Sequence, residues 1–184
     1  VVCYGRLANG TTYAWPADGS WLCRPAMATN HGDSIEHIDN SSPIQGWNSH
    51  SPAVGAWFPV HTVTPSAMPP IAIRRLHYTA YRPLRIIEPM SIAPTPKGLI
   101  AHFAHSFYGW VRITLRDARP GEQLHIDHLH YVCNGQMDEQ ACQRFTIGWH
   151  GNVRIEGDSC FRSEQIQSIE GIEIAPVPHQ SWQY

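Results

Sequence analysis

The chain has 184 residues, of which 42% are hydrophobic and 15% charged, and its formal net charge at pH 7 is −2. That length and apolar fraction suit one domain with a proper core, or one domain plus a fragment of another. The slightly acidic balance argues against nucleic acid as a partner, since phosphate recognition needs a basic surface. No run of 18 apolar residues is present, so no helical membrane span is expected.

In chain order the signals are those of short strands. Val1 to Tyr4 is apolar and lacks the basic region and cleavage site of a signal peptide. It reads as the inside of a strand, which predicts a chain cut from something longer and leaves the compartment open. Asn9-Gly10 is a hairpin turn, Thr11 to Trp15 a returning strand, and Asp18-Gly19 a second turn before Trp21-Leu22-Cys23. Residues 24–55 read as a long loop rich in Asn, Gly, Ser and Pro, a length that usually signals function or wrapping. Trp57 to Val63 is a short strand, and Pro65 to Pro70 breaks the pattern. Ile71 to Tyr81 reads as extended. Leu84 to Glu88 and Met90 to Ile92 are short strands between prolines.

The second half is more regular. Leu99 to Arg116 carries the clearest pattern, ending in Val111-Arg112-Ile113-Thr114-Leu115 with period two, as a half-buried strand requires. Gly109 precedes that run and predicts a kink or a close backbone approach. Arg119-Pro120-Gly121 is a turn. Leu124 to Val132 reads as one strand with a phase break, which a bulge near Asp127-His128 would repair. Asp138 to Cys142 offers at most one helical turn. Gln143 to Trp149 and Val153 to Glu156 are strands around a turn at His150-Gly151-Asn152, and Ile166 to Ile174 closes the sheet. Many short strands at about ten-residue spacing predict an all-β fold. We expect an antiparallel, jelly-roll-like β-sandwich over residues 85–184, with a hairpin and long loop over residues 1–84.

Five cysteines, Cys3, Cys23, Cys133, Cys142 and Cys160, form no C-x-x-C pair. Buried free thiols are expected, although Cys133 and Cys142 flank a turn and suit a bridge in an oxidising compartment.

The order of these pieces resembles the non-catalytic β-sandwich region of bacterial α-L-rhamnosidases. In that family a strand ends in a pattern like D-F-G-Q-N-x-x-G-W-V-R-L. Here Phe103 and Gly109-Trp110-Val111-Arg112 match it, whereas His102, Ala104, His105 and Ser106 replace the Asp, Gly, Gln and Asn. Pro120-Gly121, Gly135, Phe161, Ile166, Ile169 and Glu170 keep later family spacings, with His130 where a Glu would stand. Gly10 to Trp21, Gln45-Gly46-Trp47 to Trp57, and Pro83 to Pro89 resemble upstream segments. The resemblance implies a sandwich that supports a catalytic (α/α)6 barrel, in the same or another chain, and frames a rhamnose-containing glycan. The acidic catalytic residues of the family lie in that barrel, so the resemblance assigns no catalytic residue to this chain. Glycoside hydrolysis needs two carboxylates about 5–9 Å apart, and no pair here stands out.

Other residues carry their own chemistry. Sugars stack on aromatic rings, which makes Trp15, Trp21, Trp47, Trp57 and Trp182 candidate platforms. Asn30 and Asp33 stand where some family members have a calcium-dependent, rhamnose-binding loop, and Glu36 and Asp39 would add oxygen ligands to a calcium site. Twelve histidines include His125, His128 and His130 in one stretch. His128 and His130, with His102 from a neighbouring strand, would suit a bound transition metal. Two alternatives therefore accompany the rhamnosidase-like reading: a stand-alone carbohydrate-binding module, and a small His-rich, cupin-like metalloprotein. Neither a cofactor nor a catalytic residue is required by the leading one.

Overall fold

The computed structural model describes residues 2–30, 34–44, 55, 57–61 and 80–177. Among the described residues there is no α-helix, and one 3₁₀ turn lies at Ser163–Gln165. In chain order the strands are β1 (Val2–Arg6), β2 (Thr12–Pro16), β3 (Leu22–Cys23), β4 (Ala28–Asn30), β5 (Glu36–Asp39), β6 (Phe58–Pro59) and β7 (Ala80–Ile87). They continue with β8 (Ser91–Thr95), β9 (Gly98–Leu115), β10 (Gln123–Ile126), β11 (Leu129–Val132), β12 (Glu139–Cys142), β13 (Gly148–Gly157) and β14 (Ile166–Val177). The fold is all-β, as the sequence pattern predicts.

The chain divides into two compact units, Val1–Ala26 with Ile44–Leu76, and Met27–Pro43 with His77–Tyr184. In the first, β1 and β2 form the expected hairpin. Gly10 takes φ +87°, a left-handed conformation that glycine adopts without steric penalty. The Asn9 side chain accepts the Thr11 N–H at 3.0 Å. β3 pairs with β6 over two residues, so the strand expected from Trp57 to Val63 is short. Residues 62–79, including the extended segment expected from Ile71, lie outside the described residues.

The second unit is built on β9. Its first half pairs with β13 on one side and β8 on the other, and β13 continues through β10, β11 and β5 to β4. Its second half pairs with β14 and β12, and β14 continues to β7. One strand thus belongs to both layers of the sandwich. Its inward residues Ala101, Phe103, Phe107, Val111, Ile113 and Leu115 are buried in one core with Leu124, Ile126, Leu129, Tyr131, Val153 and Ile155. Their burial is the main drive for the fold, at about 25 cal/mol per Å² of apolar surface removed from water.

The bend in β9 lies earlier than Gly109. Residues 103–106 stand opposite Gly151 alone, between the pairs His102–Asn152 and Phe107–His150. This bulge brings the Phe103 and Phe107 rings to 5.0 Å in a T-shaped contact. His150 to Asn152, expected as a turn, remains in β13 as the other side of that bulge. Gly109 serves the close approach instead, since a Cβ there would collide with the Ile172 carbonyl oxygen of β14.

Three further expectations change. The phase break near Asp127-His128 is a hairpin turn between β10 and β11, with Asp127 at φ +46°. A two-residue reversal returns Leu124, Ile126, Leu129 and Tyr131 to one buried face, as a single inserted residue would have done. Residues 24–55 are not all loop, because β4 and β5 add to the sheet there. The β5–β11 pair is parallel, whereas every other described pair is antiparallel. Glu139 to Cys142 forms β12 rather than a helical turn, with Asp138 in the turn before it, and Gln143 to Ile147 is irregular. All five cysteines are free. Burial pushes Cys142 up to about 11 and raises Cys133 further, so both remain thiols at neutral pH.

Candidate functional site

Buried carboxylates organise the loops of the second unit. Glu36 of β5 is fully buried, and its oxygens accept the backbone N–H groups of Arg144 (2.8 Å), Phe145 (3.0 Å) and Thr146 (2.9 Å). Glu139 accepts the N–H groups of Asn134 (2.7 Å) and Gly135 (3.0 Å) and the Tyr131 hydroxyl (2.8 Å). Burial, with Glu139 beside it, pushes the Tyr131 hydroxyl well above its ordinary range. Glu122 accepts the Arg119 N–H at 2.9 Å and the Gln165 amide at 3.2 Å. A buried carboxylate is stable only with such donors around it.

The segment that Glu36 holds forms one wall of a groove of about 590 Å³, lined by Asn30, Ser34, His128, Phe145, Thr146, Ile147 and Gly148. The Asn30 amide donates to the Thr146 hydroxyl at 3.4 Å, linking the end of β4 to that wall. His128 comes from the β10–β11 turn. That turn is fixed by Asp127, whose carboxylate accepts the Arg154 N–H at 2.9 Å and lies 3.2 Å from His150 Nδ1. Phe145 is 71% exposed. A second groove, of about 680 Å³, includes Lys97, Asp158, Arg162 and Glu164, with charges of both signs.

The structure thus brings together two residues to which sequence reading assigns different chemistry, Asn30 for sugar and His128 for metal. The other metal candidates lie elsewhere. His130 is on the outer face of β11, with His37 Nδ1 3.2 Å from its Nδ1 and Gln123 Oε1 3.2 Å from its Nε2. His102 is on β9, 2.8 Å from the Asn152 side-chain oxygen. Among the described residues, no group of three or more His, Cys, Asp or Glu side chains is placed to hold a metal ion. Of the oxygen donors considered for calcium, Glu36 is turned into the core and Asp39 accepts the N–H and hydroxyl of Ser41. Asp33, Trp47 and Trp182 lie outside the described residues. Trp15, on β2, is exposed beside Tyr13 at 4.4 Å between ring centroids, and Trp21 is half-buried. Trp57 has the Arg24 guanidinium 5.8 Å from its ring centroid.

His125, His130 and His37 form a row across β10, β11 and β5, with the His125 and His130 rings stacked at 4.5 Å. Partial burial and the two neighbouring imidazoles hold His130 below the ordinary imidazole range. The unfolded chain takes that proton near 6.5 and the folded chain takes it lower. The unfolded state therefore binds more protons in this window, and stability is lost as pH falls through about 6.5. The urea midpoint is expected to drop between about pH 7.5 and about pH 5.5, and His130→Gln to shrink that drop. An unchanged drop in the variant would remove His130 as its source.

Sequence reading missed an aromatic row across β13, β9 and β7. Trp149 of β13 lies 5.5 Å from Tyr108 of β9, which lies 6.5 Å from Tyr81 of β7. Trp149 and Tyr81 are exposed. The three are far apart along the chain, and Tyr108 stands between Phe107 and Trp110, so only the folding of the strands reveals the row.

Fold and site together define an all-β sandwich that carries open, polar and aromatic surface features. No protein-family model and no curated protein matches the chain. Solved structures do match it. The chain is similar to an α-L-rhamnosidase from Dictyoglumus thermophilum, with a TM-score of 0.73 and 18% identity over 96% of this chain and 22% of that one. It is also similar to the α-L-rhamnosidase from Aspergillus terreus, with a TM-score of 0.63 and 14% identity over 95% of this chain and 22% of that one. The likeness is one of fold, and the chain spans about a fifth of the length of these enzymes.

Proposed function

We propose that the chain is a non-catalytic β-sandwich accessory domain of an α-L-rhamnosidase-like glycoside hydrolase. In this reading it packs against a catalytic (α/α)6 barrel, in the same or another chain, and frames a rhamnose-containing glycan. The observation that carries the reading is the fold match, which takes in 96% of this chain but only 22% of the D. thermophilum enzyme. The carboxylates agree with a supporting role. Glu36, Glu122 and Glu139 are buried and hold backbone or side-chain donors. Glu170, Glu173 and Asp138 pair with Arg112, Arg85 and Arg116.

Two measurements test the proposal. The purified chain, incubated with p-nitrophenyl α-L-rhamnopyranoside, is expected to release no nitrophenol above buffer. The protein isolated from its native host is expected to carry a helical barrel, covalently or as a bound partner. Hydrolysis by the chain alone, or a native protein without any barrel, would overturn the reading.

A further inference from the structure

The geometry points to the groove between β4, the β10–β11 turn and residues 144–148 as a binding site for one sugar residue, seated on the Phe145 ring. The inference rests on the glycan-framing reading and names the surface that does the framing.

Two observations carry it. First, Phe145 is 71% exposed, on a segment whose backbone is held in place. The buried Glu36 carboxylate holds the N–H groups of Arg144, Phe145 and Thr146 together. A large apolar ring exposed at the surface offers its face to a partner, and a site on a braced loop loses little entropy on binding. Second, the lining pairs that ring and Ile147 with groups that exchange hydrogen bonds with hydroxyls: the Asn30 amide, the Ser34 and Thr146 hydroxyls and the His128 imidazole. A pyranose has the matching halves, a C–H face and a rim of hydroxyls. At about 590 Å³ the site lies within the usual range for small-molecule pockets, about 300–1,000 Å³.

The intact chain, labelled with 15N, can be titrated with L-rhamnose and D-galactose and followed by amide shifts. Both neutral sugars are expected to move the Phe145, Thr146 and Asn30 amides. Phe145→Ala is expected to weaken the neutral-sugar affinity at least tenfold, while Phe145→Leu, which keeps apolar bulk without the flat ring, restores little. The thermal midpoint of both variants should match the parent, because the ring is exposed. Unshifted groove amides with every neutral sugar, or full affinity in Phe145→Ala, would overturn the inference. Shifts confined to Trp15, or to Trp149, Tyr108 and Tyr81, would overturn it too and leave glycan framing standing on another surface. Loss of the accessory-domain reading is read separately, from a native protein that lacks a barrel.

Discussion

Glu36→Ala is expected to lower the stability of the sandwich by about 3–4 kcal/mol, because buried donors left without an acceptor cost about 1–3 kcal/mol each and water can reach part of this loop. For a chain of this size that corresponds to a fall of about 10 °C in Tm. The carboxylate gathers three consecutive backbone N–H groups from a segment more than one hundred residues away. Glu36→Gln keeps one acceptor oxygen and turns an amide N–H toward the remaining donors, so about half of the loss is expected to remain. Urea unfolding followed by tryptophan fluorescence gives both values. A loss below about 1 kcal/mol for the alanine variant would mean that solvent satisfies the loop on its own.

The second large effect is expected at Gly109. In Gly109→Ala the new Cβ would enter the space of the Ile172 carbonyl oxygen. The obstacle is backbone, so no side chain can swing away. Either β14 separates from β9 or both strands shift, and the β9–β14 ladder from Glu173 to Ile166 loses its register. Overpacking usually costs about 1–3 kcal/mol, and a backbone clash at the centre of a sheet should reach or exceed the upper end. Gly121 supplies the contrast. Among the described residues nothing lies within 4 Å of a Cβ built there, but its φ is +85°. Gly121→Ala should therefore cost only about 1 kcal/mol, from conformational strain. Thermal unfolding of the two variants side by side decides the matter. Equal losses would show that crowding by β14 is not what requires glycine at position 109.

Much of the sandwich was legible because its strands alternate. Val111 to Leu115 and Leu124 to Ile126 announce their inward faces, and Asn9-Gly10 announces its turn. Where the sequence misled, the pattern was short or had two physical solutions. Glu36-His37-Ile38-Asp39 has a single aliphatic residue, so β5 looks like loop until its pairing with β11 is seen. At Asp127-His128 a bulge and a tight hairpin both restore the phase of the apolar residues, and local periodicity does not separate them. The groove was half legible. Asn30 and His128 stood out, but for unrelated chemistry and far apart along the chain. Phe145 did not stand out, because one aromatic residue in a mixed stretch reads as a strand residue facing the core. The backbone that carries it is held by a carboxylate distant in sequence, and no local rule reports that.

The two-layer course of β9 has a consequence for how the protein comes apart. Sandwich layers held only by side-chain packing can separate while each keeps its own ladder. Here the strand that anchors β13 and β8 is also the strand that anchors β14 and β12. Detaching either layer pulls on the same covalent backbone, and releasing β9 removes the template for both. The second unit is therefore built to melt as one cooperative block, with the fraying confined to its rim strands β4, β7, β8 and β12.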